Sequence, residues 1–170
     1  MPTTYKAIAT VIIGSGGSST IEFNSIPQTY NDLCILLSAR DDRNLVTNGA
    51  LISFNSSTSS FTGRAIYTDG YTNTGTFNSI PRYTGAYSAT NATAGAFGNG
   101  MIYIPNYSGS SNKGFTAEGV SENNGSESYI AMSANLWSNT SAITSIVLTP
   151  SLATKFQEHS TATLYGIKNS

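Results

Sequence analysis

The stretch "YIPNYSGSSNKGF" at residues 103–115 decides how the chain is read. Its Gly/Ser run, with Lys113 beside it, either cradles a phosphate or turns one β-strand into the next. A phosphate loop needs the spacing GxxxxGK[ST] and leads from a strand into a helix, whose N-terminal N–H groups meet the anion. "SGSSNKGF" lacks that spacing and enters a strand, which makes Lys113 the solvated first residue of that strand. "GSGGSS" at residues 14–19 fails in the same way: it follows "ATVII" but leads into "TIEF", a second strand and not the helix that a dinucleotide needs. Both loops read as hairpin turns.

Outward from these turns the chain is a succession of short alternating runs, the pattern of a sandwich or barrel. Strands are expected near 5–13, 19–24, 32–40, 50–54, 61–67, 81–88, 98–105, 113–122, 128–137, 143–149 and 160–167. In "TATLYGI", Thr161, Thr163 and Tyr165 alternate with Ala162, Leu164 and Gly166, which gives one buried and one wetter face. No segment carries a 3.6-residue apolar stripe with caps. About eleven strands cannot lie in one twisted sheet without curling or splitting. The expectation is an all-β, antiparallel two-sheet sandwich, jelly-roll-like and almost without helix, forming a single domain over residues 1–170. Residues 64–100, tyrosine-rich and nearly uncharged, read as a surface excursion or an edge hairpin.

Ser, Thr, Asn and Gly supply 79 of the 170 residues, a composition that elsewhere means disorder. Ten Tyr, seven Phe and many β-branched residues argue for a packed core instead. Only 10% of the chain is charged, against about 25% in a typical soluble domain. Little repulsion therefore opposes association. A net charge of −1 without any Lys/Arg cluster argues against nucleic acid. No apolar run reaches the roughly 18 residues of a membrane helix, and "MPTTYKAIATVIIG" lacks the layout of a signal peptide.

Catalytic constellations are missing from the sequence. Cys34 is the only cysteine and lies in "DLCILLSAR", where it reads as a small core residue of a strand. The single histidine, His159, has no nucleophile elbow beside it and reads as exposed before the last strand. Glu118 and Glu122 would share one face of a strand about 13 Å apart, too wide for either glycosidase geometry. They read as solvated face residues. Asp41 and Asp42, between Arg40 and Arg43, lack the alternating oxygen ligands of a calcium loop and read as a surface ion-pair cluster. No cofactor and no metal site is expected.

Aromatic side chains are the residues best able to make a binding surface, because the ring packs while its polar edge stays wet. Tyr103, Tyr129, Trp137 and Tyr165 sit within apolar runs and are expected mainly inside. Tyr67, Tyr71, Tyr83, Tyr87 and Tyr107, with Arg64 and Arg82, are expected at the surface as a binding or interface patch.

The runs "YKAIATVIIGSGGSSTIEFNSIPQTYNDLCILLSAR", "IYIPNYSGSSNKGFTAEGVSENN", "LWSNTSAITSIVLTP" and "STATLYGIKNS" together resemble a family of small virion proteins of tailed bacteriophages, frequent in aquatic phages. "IPQTY", "YIPNY", "LWSNT" and "TATLYGI" carry the resemblance, and residues 57–97 match least. It implies a non-enzymatic β-sandwich building block on the particle exterior, assembled in the host cytoplasm, in a tail, a fibre or a capsid decoration. It brings no catalytic residues. The implied partners are other virion proteins and further copies of the chain, a trimer being favoured by analogy with phage appendages. Residues 64–97 would then form the variable face. The competing class is a lectin-like module recognising a host surface glycan through those tyrosines, with a polysaccharide depolymerase third.

Overall fold

The computed structural model describes residues 4–70, 74–77, 79–125 and 128–168. Among these lie twelve strands and no helix: β1 Tyr5–Ile12, β2 Ile21–Phe23, β3 Asp32–Ala39, β4 Thr47–Phe54, β5 Phe61–Thr68, β6 Thr74–Phe77, β7 Tyr83–Ser88, β8 Gly98–Ile104, β9 Lys113–Glu122, β10 Ser128–Trp137, β11 Ile146–Pro150 and β12 Thr161–Ile167. They form an eight-stranded sheet in the order β1-β12-β3-β8-β9-β10-β5-β6 and a four-stranded sheet in the order β2-β11-β4-β7. Every strand pairing is antiparallel. The expected two-sheet antiparallel β-architecture is the one found. Eight strands facing four do not by themselves make a jelly roll.

Alternation decides which side chains enter the core. Along β9 buried and exposed residues alternate without a break, so Phe115 and Ala117 point inward while Thr116 and Glu118 point outward. Leu33, Ile35 and Leu37 of β3, Ile102 and Ile104 of β8 and Leu164 of β12 meet Ile21, Phe23, Ile52, Phe54, Ile146 and Leu148 of the small sheet in one hydrophobic cluster. At one end Phe54 packs edge-on against Phe115 and Trp137, with ring centroids 5.3 and 5.4 Å away. Phe61 stacks on Trp137 at 6.0 Å. Each such pair adds about 0.5–1.5 kcal/mol beyond the area it buries.

Elsewhere the sheets touch backbone to backbone. Gly85 of β7, at φ +93°, lies so close to β9 that a Cβ there would stand 2.5 Å from the Gly119 amide nitrogen. A Cβ on Gly119 would in turn stand 2.4 Å from the Ala86 carbonyl oxygen. Around this contact the inward positions are small or polar and bridge the sheets. Ser88 and Ser121 share a buried hydrogen bond of 3.0 Å, and the Ser133 hydroxyl donates to the Tyr83 carbonyl at 2.7 Å.

The opening loop is the hairpin turn expected between β8 and β9, but its lysine is not solvated. Lys113 is 1% exposed, and its ammonium donates to the carbonyls of Gly109, at 2.7 Å, and Ser111. The turn curls over its own cation because those carbonyls have no strand partners, which corrects the expectation of a free lysine. The RDDRN segment departs similarly from a surface ion-pair cluster. Arg40 is buried and donates to four carbonyls, those of Thr93 and Ala96 at 2.8 Å, Thr90 at 2.9 Å and Ala92 at 3.0 Å. Asp41 is wholly buried against Asn48. Asp42 accepts from Thr154 N at 2.8 Å and Lys155 N at 3.1 Å.

The close approach is testable by adding one carbon. Gly119→Ala should lower stability by about 1–3 kcal/mol, the usual cost of overpacking. Gly14→Ala, where a Cβ meets nothing within 4 Å, should change it by less than about 0.5 kcal/mol. Urea unfolding of the two variants measures the difference, and equal midpoints would contradict the packing described.

Candidate functional site

Two features stand out: the outer face of the eight-stranded sheet, and a cavity between the sheets. The outer face follows from the register. Leu36 is opposite Met101, Met101 opposite Glu118, Glu118 opposite Met132, and Met132 opposite Ile66. These five side chains form one line across β3, β8, β9, β10 and β5, about 19 Å long at roughly 4.8 Å per strand. Leu36, Met132 and Ile66 are 47%, 51% and 57% exposed. Val120 and Ile130, opposite each other two residues further on, are exposed as well. A contiguous apolar stripe facing solvent marks an interaction surface more often than chance. Its only charged member is Glu118, and Arg64 lies on the same face beyond β10, where its partner is Ala134.

The physical cause lies beneath. Where β7 presses on the large sheet, the inward positions of β9 and β10 can hold only Ala117, Gly119, Ala131 and Ser133. The larger apolar residues of β10, Ile130, Met132 and Leu136, occupy the opposite parity and face out. Glu118 and Glu122 are exposed on this face, as expected of solvated face residues. Cys34 is buried on β3, opposite Tyr103 and Tyr165, and burial pushes its thiol up. His159 is exposed before β12, as expected.

The cavity has a volume of about 310 Å³ and is lined mostly by apolar groups, among them Tyr67, Tyr83, Tyr129 and Leu152, with Arg43 and Asn48 at one side. It sits next to the β-bulge of β4 between Gly49 and Leu51. The Tyr83 ring lies flat enough on Gly49 that a Cβ there would be 2.1 Å from Cε2, so only glycine fits. Burial pushes the Tyr83 hydroxyl up to about 12, against the pull of the Arg43 charge, so it stays protonated. That hydroxyl has no hydrogen-bond partner among the described residues. Arg43 Nη1 donates to Asn48 Oδ1 at 3.2 Å, and Asn48 Nδ2 donates to Asp41 Oδ2 at 2.6 Å.

The structure separates the residues expected to form one surface patch. Tyr67 and Tyr83 meet in the cavity and are half-buried; Arg64 is exposed on the outer face. Tyr87 and Tyr107 are core residues, 1% and 0% exposed, which overturns their surface reading. Tyr87 donates to the Gly49 carbonyl at 3.0 Å, and Tyr107 donates to the Pro27 carbonyl. Tyrosine satisfies its hydroxyl on a backbone carbonyl and buries like phenylalanine, so a loop position says little about exposure. Arg82, at φ +70°, is half-buried and turned toward the Ile52 carbonyl of β4. Tyr71 lies outside the described residues. Trp137 is inside as expected, whereas Tyr103, Tyr129 and Tyr165 are only half-buried. Arg43 and the outward apolar residues of β10 carry no sequence signal of a site. Among the described residues no group of three or more His, Cys, Asp or Glu side chains is placed to hold a metal ion. Comparison with protein-family models, with curated proteins and with solved structures finds no match.

Asp41, behind the cavity, has a measurable signature. Burial raises its carboxyl above the usual range, opposed by hydrogen bonds from Asn48 and the Arg43 amide, while the neighbouring Asp42 charge adds to the rise. Between the two values the folded state holds a proton that the unfolded chain has released. The stability this carboxyl contributes is therefore present at low pH and lost as pH rises from about 4 through the raised folded value. The stability advantage of the wild type over Asp41→Asn should shrink as pH rises from about 4 to 7. Urea midpoints measured across that range check it, and a gap that widens would reverse the sign.

Proposed function

We propose that the chain is a non-enzymatic structural protein of a tailed-phage particle, carried on its exterior and joined to further copies of itself through the outer face of the eight-stranded sheet. The observation that carries this reading is the exposed line Leu36–Met101–Glu118–Met132–Ile66. Burying it supplies the drive to associate, at roughly 25 cal/mol per Å² of apolar surface. The whole outer face measures on the order of 700 Å², close to the roughly 800 Å² per partner of a standard interface. The phage particle itself enters through the sequence resemblance.

Charge placement favours a second copy as occupant. Glu118 and Arg64 lie about 12 Å apart on the face, two strand spacings and two residues removed with β10 between them, too far to pair within one chain. A two-fold axis lying in the interface over β10, between Met132 and Ala134, would bring each copy's Glu118 onto the other's Arg64. An isologous interface uses one patch on both partners, so this arrangement is a dimer and replaces the trimer expected by analogy. A lectin-like role resting on the tyrosine patch loses Tyr87 and Tyr107 to the core.

Sedimentation of the purified chain should show dimers at micromolar concentration. Glu118→Arg and Arg64→Glu singly should weaken association at least about tenfold, the cost of a like-charge contact at an interface. The double exchange should restore it. A monomer at all concentrations, or single variants that dimerise unchanged, would sink the self-association. Immunogold labelling of particles tests the location separately, and absence of label on any particle would remove it.

A further inference from the structure

We infer that the cavity between the sheets is a binding site for a small carboxylate carried on a six-membered ring, held by Arg43 and Tyr83. This site is separate from the outer face and does not depend on the association proposed for it.

A volume of about 310 Å³ is at the lower end of ligand pockets, which run from roughly 300 to 1,000 Å³. It suits a single ring with one substituent. The wall is mostly apolar: the rings of Tyr67, Tyr83 and Tyr129 with Leu152 close it, and no acidic residue lines it among the described residues. Set into this wall are two hydrogen-bond donors with unused capacity. Of the Arg43 guanidinium, one N–H is engaged by Asn48 Oδ1, and the remaining ones have no partner among the described residues. The Tyr83 hydroxyl has none either, and as a phenol it carries its proton at neutral pH.

A fork of guanidinium donors beside a phenol is matched by a carboxylate, whose two oxygens accept from both. A neutral ligand would leave the cation facing an apolar body, which costs binding when the charge is desolvated. The nearest acid cannot serve instead. Asp41 is engaged by Asn48 Nδ2 at 2.6 Å and the Arg43 amide at 3.1 Å, so its charge is spent behind the wall rather than in the cavity. Asn48 stands between the two and fixes the guanidinium by accepting from it. The arrangement is one of positioning: a buried carboxyl orients an amide, the amide orients Arg43, and Arg43 faces the space.

Titration followed by NMR chemical shifts tests the site, with benzoate and methyl glucuronoside as the two carboxylates and benzyl alcohol and methyl glucoside as their neutral counterparts. The expected result is that at least one carboxylate binds tenfold or more tightly than its neutral counterpart, with shifts at Tyr83, Ala86 and Ala131. Tighter benzoate identifies an apolar ring body; tighter glucuronoside identifies an acidic sugar. Arg43→Gln should erase the preference for the carboxylate, and Tyr83→Phe should weaken it several-fold, both with unfolding midpoints near that of the wild type. If Arg43→Gln does not fold, Leu152→Trp, which fills the cavity mouth from an exposed position, should abolish binding. Equal binding of charged and neutral ligands, no binding of any of the four, or an unchanged preference in the variants would overturn the proposal.

Discussion

The contact of Gly85 with Gly119 governs much of what surrounds it. Two sheets normally pack about 10 Å apart, a gap filled by side chains. Here β7 lies against β9 with no side chain between them, because neither glycine offers a Cβ and Gly85 takes a φ of +93° that other residues avoid. The small sheet is therefore a wedge: it stands off the large sheet where Phe54, Phe61, Phe115 and Trp137 fill the gap, and touches it at β7. Hydrogen bonds from Ser133 and Asn135 to the Tyr83 carbonyl and the Ser88–Ser121 pair replace hydrophobic packing along the pinch. Polar groups so buried must be paired, and these are.

Arg40 completes the same end of the molecule. The chain leaves β7 and returns as β8 through residues 89–97, a loop without ladder partners. Its carbonyls at Thr90, Ala92, Thr93 and Ala96 converge on one guanidinium. A buried cation with four acceptors is satisfied without a carboxylate, which frees Asp41 to turn to Asn48. Arg40 is itself tied into the β12 end, since its amide donates to Ser160 Oγ at 3.1 Å and its carbonyl accepts from Gln157 N at 2.8 Å. One residue thus joins three segments distant in sequence.

Much of this fold was legible. Eleven of the twelve strands lie where alternating runs and Gly/Asn turns placed them, and the two-residue alternation of "TATLYGI" is observed, with Ala162, Leu164 and Gly166 buried and Tyr165, expected inside, only half-buried. β6, which pairs with β5 at the edge of the large sheet, carries no strand signal, because "TGTF" is short and lacks apolar alternation. The strand expected from residue 50 begins at Thr47, because Asn48–Gly49, a pair that favours turns, here forms a bulged strand under Tyr83. Burial of Tyr87 and Tyr107 was not legible, since each is set by a carbonyl contributed from elsewhere in space, nor was that of Lys113, since it depends on its own turn curling back to aim two carbonyls at the ammonium. The site was the least legible part. In "SYIAMSANLW" both parities hold apolar residues, and only the presence of β7 beneath Ala131 and Ser133 decides which of them faces water.

That choice makes β10 the element on which both candidate sites depend. Tyr129 and Ala131 face the cavity, while Met132 and Ala134 belong to the outer face. A strand has period two, so a slip of one residue would exchange the sets and destroy both at once. The slip is opposed at each step: Trp137 is locked into the aromatic cluster, Asn135 accepts from the Arg82 amide at 3.0 Å, and Ser133 holds the Tyr83 carbonyl. The polar residues buried along β10 therefore act as register pins, and their cost in desolvation is offset by a strand that can present only one face to each side.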